Sequence, residues 1–327
     1  MKSFYMCKKK PTISIAMATY NGERFLKQQL DSIFMQSYND FELLVCDDCS
    51  TDKTIEIIES YQNKYQNITL AQNKKRIGSV QNFERAISLC KGRYIVLSDQ
   101  DDIWEPNKLH LNIKHMKIME QKHPGLPLMV HSDLSMIDEY NGLLHSSYFK
   151  FRNYQLNKEK DLGTILGPCG VMGNTIIMNQ KLKNIILPFP QLLAVHDYWI
   201  ALINELYGKR ITLNQPLVRY RIHKQNLSNS TAYLKINFFK KFKRSFSLNF
   251  PLPYMDINRN HVLHYLLQHN FVEINDKIII QNFISYLEKK ENSIVTFYNL
   301  LRYRFVKKGF WYRTELFIKL VLTQRYH

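Results

Sequence analysis

The sequence predicts an α/β protein in which helices cover both faces of a parallel sheet. Short apolar runs alternate with segments of helical periodicity, and the connections between them are short. Apolar residues make up 45% of the 327 residues and charged residues 22%, which is ordinary for a globular protein. With only 11 glycines and 10 prolines and no repeat of fixed period, collagen-like, low-complexity and repeat proteins are excluded.

The N-terminal third contains the clearest elements. Predicted strands cover residues 13–18, 41–46, 68–71 and 94–98. Three helices between them are predicted from apolar residues at helical spacing: Leu26, Leu30, Ile33 and Phe34; Ile55, Ile58, Tyr61 and Tyr65; Val80, Phe83, Ile87 and Cys90. In such a sheet the ligand site lies at the carboxyl ends of the strands.

Beyond Trp104 the pattern is less regular. The predicted elements are a helix at about 106–121, a short extended stretch at 128–130 before a long loop, a strand at 175–178, an aromatic helix around 197–199 and a strand at 218–221. The glycines at 167, 170 and 173 favour a loop. We expect one α/β domain over residues 1–230 and a basic, mainly helical region over 231–327.

The net charge of +17 points to a polyanionic partner: nucleic acid, an acidic membrane face or a phosphorylated substrate. Residues 231–327 hold 16 Lys and Arg against 6 Asp and Glu, so +10 of the charge lies there. Within 235–246, Phe239, Phe242 and Phe246 share one helical face among basic residues, as in helices that lie on anionic membranes. Aromatic and basic residues also alternate near the end: Leu301, Phe305, Phe310, Trp311, Phe317 and Leu320 among Arg302, Arg304, Lys307, Lys308, Arg313 and Lys319. The alternative is a helical subdomain that packs on the α/β domain.

The cysteines indicate a reducing compartment. They are odd in number and irregularly placed, at Cys7, Cys46, Cys49, Cys90 and Cys169, and the redox-like spacing of Cys46 and Cys49 is interpreted as coincidence. No apolar run approaches the roughly 20 residues that span a bilayer, and no signal-peptide core precedes the first lysine run. We expect a cytoplasmic protein.

Polar clusters follow three of the predicted strands and fall on one rim of the sheet. They are Thr19-Tyr20-Asn21-Gly22, Asp47-Asp48 and Asp99-Gln100-Asp101-Asp102. Three carboxylates within four residues are unfavourable unless a cation neutralises them, which predicts a divalent metal. The alternative is a group of helix-capping carboxylates before Pro106. No phosphate-binding glycine loop is present, so an ordinary dehydrogenase or NTPase is disfavoured.

Together, Ala18-Thr19-Tyr20-Asn21-Gly22, Asp47-Asp48-Cys49-Ser50-Thr51-Asp52 and Leu97-Ser98-Asp99-Gln100-Asp101-Asp102-Ile103-Trp104 resemble the family-2 glycosyltransferases of GT-A fold. His196-Asp197-Tyr198-Trp199 is similar to the catalytic motif of that family, and Tyr220-Arg221-Ile222-His223 to its late metal-proximal segment. The resemblance covers residues 11–110 and, less closely, 165–228. Cys49 stands where the family usually has glycine, and His196 where it usually has glutamate. Within the family, the chain looks most similar to bacterial rhamnosyltransferases, on the motifs Asn82-Phe83-Glu84-Arg85, Ser98-Asp99-Gln100-Asp101-Asp102 and His196-Asp197.

The resemblance implies a role for each matched residue. Residues 11–110 would bind the nucleotide and 111–230 the acceptor. The implied donor-binding set is Tyr20 against the base, Asp48 at the base or ribose, Asp99 at the ribose, and Asn21, Glu23, Asn82 and Arg221. Asp101, with His223, would hold Mg²⁺ or Mn²⁺, and Asp197 would be the general base of an inverting displacement. Asp102, Trp104, His196 and Trp199 are expected on the acceptor side or in support of the site.

Simpler structural roles remain open for several of these residues. Asp197 could only cap its helix, Arg221 could be a solvated surface residue, and Trp104 and Trp199 could belong to the core.

The partners implied are a nucleotide-sugar donor, with dTDP-rhamnose favoured and UDP-sugars next, and a lipid-linked glycan of a bacterial capsule or O-antigen. Attachment to the anionic inner face of the membrane would suit such an acceptor. Two other functions compete. A nucleic-acid-binding protein could use the basic aromatic tail, although that leaves the acidic rim unexplained. A non-catalytic assembly subunit is disfavoured because every expected carboxylate is present.

Overall fold

The computed structural model describes residues 10–156, 160–224, 257–268, 272–288, 290, 292–306, 313–314, 316–318 and 320–321. The predicted membrane helix at 235–246 lies outside these residues, as do Cys7, Lys307, Lys308, Phe310, Trp311 and Lys319. The four other cysteines are free thiols, so Cys46 and Cys49 form no disulfide.

Within the described residues, nine strands form one sheet. They are β1 (Ile13–Thr19), β2 (Phe41–Asp47), β3 (Ile68–Gln72), β4 (Tyr94–Ser98), β5 (Ile103–Trp104), β6 (Leu128–Ile137), β7 (Leu143–His145), β8 (Ile177–Asn179) and β9 (Lys209–Arg221). The helices in the described part of the chain are α1 (Leu26–Phe34), α2 (Thr54–Lys64), α3 (Ser79–Leu89), α4 (Lys108–Lys122), α5 (Tyr148–Arg152), α6 (Leu162–Leu166), α7 (Gln180–Ile186), α8 (His196–Tyr207), α9 (Ile257–Gln268), α10 (Ile274–Leu287) and α11 (Ser293–Arg302). The first four predicted strands are thus confirmed within one residue.

The strand order is β3-β2-β1-β4-β8-β6-β9-β5, with β7 on β6. The first four strands are parallel, as predicted, but β8 is antiparallel to both β4 and β6. The expectation of a wholly parallel sheet is therefore wrong beyond β4. β6 and β9 follow helices α4 and α8 and are parallel to each other, whereas β8 follows the 3₁₀ turn Gly173–Thr175 and not a crossover helix, so its direction is not constrained to be parallel.

Two strands extend well past their predicted limits. β6 continues through seven residues beyond its predicted end, because its polar side chains are buried and several of them find hydrogen-bond partners. His131 Nε2 lies 2.8 Å from Thr212 Oγ1, and Asp133 accepts the N–H of Phe149 at 3.0 Å. β9 runs beside β6 from Lys209, nine residues earlier than predicted, since pairing with β6 overrides its polar composition.

The sheet separates two apolar cores. Ile15 and Met17 of β1 pack with Leu30 of α1 on one side, whereas the intervening Ala16 packs with Phe83 of α3 on the other. This alternation places α1, α2 and α4 on one face and α3, α7 and α8 on the other.

The described C-terminal helices share a core with the α/β domain. Leu263 of α9, Phe283 of α10 and Phe305 are fully buried together with α6 and α8. Close contact is built into α6, because a Cβ added at Gly163 would lie 1.5 Å from the carbonyl oxygen of Tyr303. The described part of the C-terminal region therefore packs on the α/β domain, as the prediction of a packed helical subdomain proposed. None of the described helices is both long and apolar enough to span a membrane.

Candidate active site

The loops after β1 and β2 form one hydrogen-bonded wall of the site. The N–H of Asn21 donates to Ser50 Oγ, and Asn21 Oδ1 accepts the N–H of Thr51, both at 2.9 Å. Glu23 accepts the N–H of Lys53 at the start of α2, at 3.0 Å. The structure thus places Asn21 and Glu23 where they hold the two loops together.

Asp48 is buried and holds the loop that precedes α3. Its carboxylate accepts from the N–H of Ile77 at 2.7 Å, the N–H of Gly78 at 2.8 Å and Asn73 Nδ2 at 2.8 Å. Asn82, also buried, donates to a carbonyl at the end of β2 at 2.7 Å and accepts from Asn73. Both predicted donor-binding residues therefore fix the shape of the rim, and Asp48 retains acceptor capacity for a further hydrogen bond.

Tyr20 lies on the same rim, next to a cation that the sequence did not single out. Its backbone is clamped by Gln100, which accepts from the Tyr20 N–H at 2.9 Å and donates to the Tyr20 carbonyl at 3.0 Å. The guanidinium carbon of the exposed Arg76 lies 4.0 Å from the centroid of the Tyr20 ring. An aromatic face and an exposed arginine together suit a nucleotide, because the Tyr20 ring can stack on a base and the Arg76 guanidinium can pair with phosphate.

The acidic cluster follows β4, as the sequence predicts. Burial, and then the charges of Asp102 and Asp101, raise the pKa of Asp99 well above its ordinary value. Carboxylates this close cannot all be ionised at low cost without added positive charge. The cluster is therefore suited to a bound cation.

Asp101 and His223 supply a donor set that fits a divalent metal. Asp101 Oδ2 lies 2.8 Å from His223 Nε2, and the Asp101 side chain is 17% exposed. No three His, Cys, Asp or Glu side chains converge as a complete metal site within the described ranges. Mg²⁺ commonly takes one or two protein ligands and completes its shell with substrate phosphates and water, which is what this pair allows.

Asp102 points into the protein. It is fully buried and accepts from Asn174 Nδ2 at 2.5 Å and from the N–H of Arg221 at 3.1 Å. Burial and the charge of Asp101 raise its pKa to about 7. Beside it, the fully buried Lys108 donates from Nζ to the Asn174 carbonyl at 2.7 Å, and burial lowers the pKa of this amine well below its ordinary value. Asp102 thus fixes the positions of Asn174 and Arg221 within the protein interior.

Arg221 has the same supporting position. Its buried guanidinium donates to the Asp101 carbonyl at 2.8 Å, to Gln28 Oε1 at 2.7 Å and to Asn141 Oδ1 at 2.6 Å. It also stacks on the ring of Phe25 at 4.6 Å. Arg221 is therefore not a solvated surface residue, and its contacts hold the Asp101 backbone.

Asp197 lies in the first turn of α8, where its Oδ2 accepts the N–H of Gly173 at 3.2 Å. Burial raises its pKa to about 6, and the Gly173 hydrogen bond opposes that shift. The adjacent His196 stacks on Phe83 with 4.0 Å between ring centroids, and burial lowers its pKa to about 4. A carboxylate with a pKa near 6 is ionised at neutral pH yet basic enough to accept a proton.

The 3₁₀ turn Gly173–Thr175 connects the acidic cluster to Asp197. Its first residue donates to Asp197, and its second, Asn174, donates to Asp102. Glycine spacing predicted only a loop here. Lys108 and Asn174 were missed because a lysine in a helix and an asparagine in a loop carry no sequence signal of burial.

The two tryptophans lie in the core. Trp104 is 2% exposed and packs beneath Lys108, whose Nζ lies 3.4 Å from a ring centroid of the indole. Trp199 is 3% exposed and donates from Nε1 to the Ile186 carbonyl at 2.9 Å. In this conformation neither ring face is open to a sugar.

Residues 14–172 match the family model described as Glycosyl transferase family 2. This segment carries the family 2 glycosyltransferase domain. The matched residues include the whole acidic cluster, whereas Asp197 and His223 lie beyond them. The likeness that the sequence motifs indicated is therefore confirmed.

Two curated bacterial relatives and one solved structure illustrate the similarity. The chain is 25% identical over 252 residues to the Escherichia coli UDP-Glc:alpha-D-GlcNAc-diphosphoundecaprenol beta-1,3-glucosyltransferase WfgD, covering 72% of this chain and 84% of WfgD. It is 43% identical over 98 residues to the Shigella flexneri dTDP-rhamnosyl transferase RfbG, covering 28% of this chain and 34% of RfbG. Mannosyltransferase PcManGT from Pyrobaculum calidifontis, in complex with GDP-Man and Mn²⁺, aligns with a TM-score of 0.56 at 16% identity over 91% of this chain and 74% of PcManGT. The last comparison shows a shared fold.

Proposed function

We propose that the protein is an inverting glycosyltransferase of bacterial surface-polysaccharide synthesis, which moves a sugar from a nucleotide diphosphate to a growing glycan. The observation that carries this proposal is the arrangement of two acidic groups that one turn of the chain connects. The cluster at 99–102 follows β4, and Asp197 lies on α8; the turn Gly173–Thr175 donates hydrogen bonds to both Asp102 and Asp197.

The nucleotide lies along the donor side of the rim in this proposal. Its base stacks on Tyr20 and hydrogen-bonds Asp48, Asp99 holds the ribose, and Arg76 contacts phosphate. Asp101 and His223 would hold Mg²⁺ or Mn²⁺, and a metal bound there would supply positive charge to stabilise the diphosphate leaving group. The Mn²⁺ in the PcManGT complex supports this metal choice.

Asp197 acts on the acceptor. Its carboxylate accepts the proton of an acceptor hydroxyl while that oxygen forms a bond to the anomeric carbon of the donor sugar. The bond from that carbon to the diphosphate oxygen breaks on the opposite face, and the bonding electrons leave with the diphosphate. The anomeric configuration is thereby inverted. The Gly173 N–H holds the carboxylate in place during the step.

The donor we favour is dTDP-rhamnose, with UDP-hexoses and UDP-N-acetylhexosamines next, and the acceptor is lipid-linked. The local similarity to the dTDP-rhamnosyl transferase RfbG supports the first choice, and the name of WfgD supports both a UDP-sugar and a diphosphoundecaprenol-linked acceptor. A lipid-linked acceptor places the enzyme at the inner face of the membrane, bound peripherally through its basic residues.

A donor screen tests this function. Purified protein is mixed with dTDP-rhamnose, UDP-glucose or UDP-N-acetylglucosamine and Mn²⁺, and thermal stability and nucleoside diphosphate release onto a lipid-linked acceptor are measured. We expect one donor to raise the melting temperature and to be consumed, with an inverted product by NMR. Tighter competition by UDP than by dTDP overturns the rhamnose assignment. If no nucleotide sugar raises the melting temperature and none is consumed, the proposed function itself is contradicted.

Membrane attachment is tested with the full chain, because the C-terminal helices share the core of the domain. Lys240, Lys241, Lys243 and Arg244 are replaced by glutamine, and sedimentation with vesicles of anionic or neutral phospholipid is compared. We expect binding to anionic vesicles that weakens with salt and in the variant, since each basic residue contributes about 1 kcal/mol near anionic lipid. Equal sedimentation with anionic and neutral vesicles contradicts the proposed membrane attachment.

A further inference from the structure

Helix α9 of the C-terminal region reaches the acceptor side of the site through Arg259. Its Nη1 donates to the carbonyls of Leu166 at 3.1 Å and Gly167 at 2.8 Å, at the end of α6. Its guanidinium carbon lies 4.5 Å from the ring centroid of Tyr198, the residue after Asp197. A single side chain thus connects α9, the end of α6 and the first turn of α8.

Arg259 and Asp197 line the same cavity, which has a volume of about 180 Å³. The loop 168–172, the segment 193–195 and Val262 of α9 supply most of the remaining wall. An apolar cavity of about 150 Å³ is known to hold a benzene ring, so this space is the size of one six-membered ring. A largely apolar lining with few polar groups is typical of small-molecule sites.

The charged and titratable groups around Asp197 come from four elements. Arg259 faces it from α9 and lowers its pKa, while the carboxyl of Asp99 faces it from the end of β4. The Cys169 thiol lies in the loop, and burial raises its pKa to about 12; His196, on α8 itself, is neutral at pH 7 because burial lowers its pKa to about 4. Arg259 is therefore the cation that favours the ionised base.

We propose that this cavity receives the ring of the acceptor sugar and that Arg259 positions Asp197 at its wall, so that the C-terminal region forms part of the acceptor site. The inference rests on the function proposed above. Arg259 is a positioning residue, because its contacts are with the α6 carbonyls and Tyr198, and its effect on the reaction passes through Asp197.

Substitution of Arg259 separates positioning from general packing. The variants Arg259→Gln and Arg259→Lys are compared with Arg302→Gln, an exposed arginine of α11 that stacks on Tyr298 at 5.8 Å and lies away from the cavity. With the donor and acceptor found in the screen, we expect Arg259→Gln to lower kcat/KM for the acceptor about tenfold with the donor KM unchanged. The acid limb of the pH profile of kcat/KM should move to higher pH in Arg259→Gln. In Arg259→Lys, which keeps the positive charge, the limb should return to the pH found for the unmodified protein.

Filling the cavity tests where the acceptor binds. Val262→Phe should raise the acceptor KM about tenfold and leave donor affinity unchanged, whereas Val295→Phe, at an exposed valine of α11, should change neither. If Arg259→Gln behaves like Arg302→Gln, or if donor and acceptor KM rise together as the melting temperature falls, the positioning role is overturned. An unchanged acceptor KM in Val262→Phe overturns the cavity assignment. Absence of turnover in the unmodified protein rejects the proposed function instead.

Discussion

The proposed donor side and the proposed acceptor side of the site are built in different ways. On the donor side, three loops follow β1, β2 and β4, neighbouring parallel strands whose carboxyl ends meet at one rim. On the acceptor side, Asp197 of α8 is held by Gly173 and shares its cavity with the loop 168–172, the segment 193–195 and α9, which come from distant parts of the chain. The donor side therefore follows from strand order, whereas the acceptor side depends on long-range packing.

The charges differ as well. The donor side gathers three carboxylates with buried support from Lys108 and Arg221, and it calls for an added cation. The acceptor side holds one carboxylate beside one arginine, Arg259. We propose that the first arrangement binds a phosphorylated ligand with its metal, and that the second accepts a proton.

The largest expected effect is on the acceptor side. Asp197→Asn removes the proposed base, and turnover should fall by roughly a hundredfold to ten-thousandfold, the usual contribution of general-base catalysis. Steady-state nucleoside diphosphate release measures it. Asp40→Asn, an exposed carboxylate before β2 at the other end of the sheet, is the control and should keep full activity. An active Asp197→Asn enzyme contradicts the role of base.

The second effect tests the packing that supports the acceptor side. Arg210 and Glu205 form a fully buried ion pair at 3.1 Å. Glu205→Gln leaves Arg210 uncompensated, and the free energy of unfolding should fall by about 3–5 kcal/mol. Urea denaturation measures the loss. Lys27→Ala, which breaks the exposed pair with Asp31, should cost less than about 1 kcal/mol. Equal losses in both variants contradict a special contribution from the buried pair.

The third effect is on pH dependence. Because the pKa of Asp197 is about 6 and the reaction needs its ionised form, kcat/KM for the acceptor should rise with pH through about 6 and level off above it. The pKa of Asp102, on the donor side, is about 7, so its titration could also affect the pH profile. Donor affinity measured at the same pH values separates the titration of Asp102 from that of Asp197. A profile that is flat through pH 6 would falsify the assignment.

The smallest effect belongs to the donor side. Cys49 has a left-handed backbone with φ of 63°, which explains why glycine is usual in this family, and its Sγ donates to the Asn73 carbonyl at 3.2 Å. Relief of the strain in Cys49→Gly should outweigh that weak bond and stabilise the protein by about 1 kcal/mol. Cys49→Ala keeps the strain and should not. Thermal unfolding that ranks alanine above glycine contradicts this reading.

Sequence patterns predicted the donor half of the fold well. β1 to β4 were placed within one residue because apolar runs bounded by polar turns identify buried parallel strands. The predicted β6 was too short because buried polar residues in it, such as His131 and Asp133, are typical of loops in the sequence alone, and their partners are known only from the structure. The mixed order of the later strands has no local signal, since strand direction there is decided by pairing.

The candidate site divides in the same way. The residues Asp99, Asp101 and Asp102 were predicted as a group because they are adjacent in the sequence, and the structure brings His223 to Asp101. Lys108 and Arg259 were not predicted, because their importance comes from burial and from contacts made across the fold. Such contacts are properties of the packed chain.

Donor binding in two variants tests most directly whether the two sides have separate tasks. A nucleotide-sugar donor is titrated calorimetrically, with Mn²⁺ present, into Asp101→Asn and Asp197→Asn. The account predicts that Asp101→Asn weakens donor affinity about tenfold or more, whereas Asp197→Asn keeps it within about twofold of the unmodified protein. Equal loss of donor affinity in both variants, or normal affinity in Asp101→Asn, would contradict it.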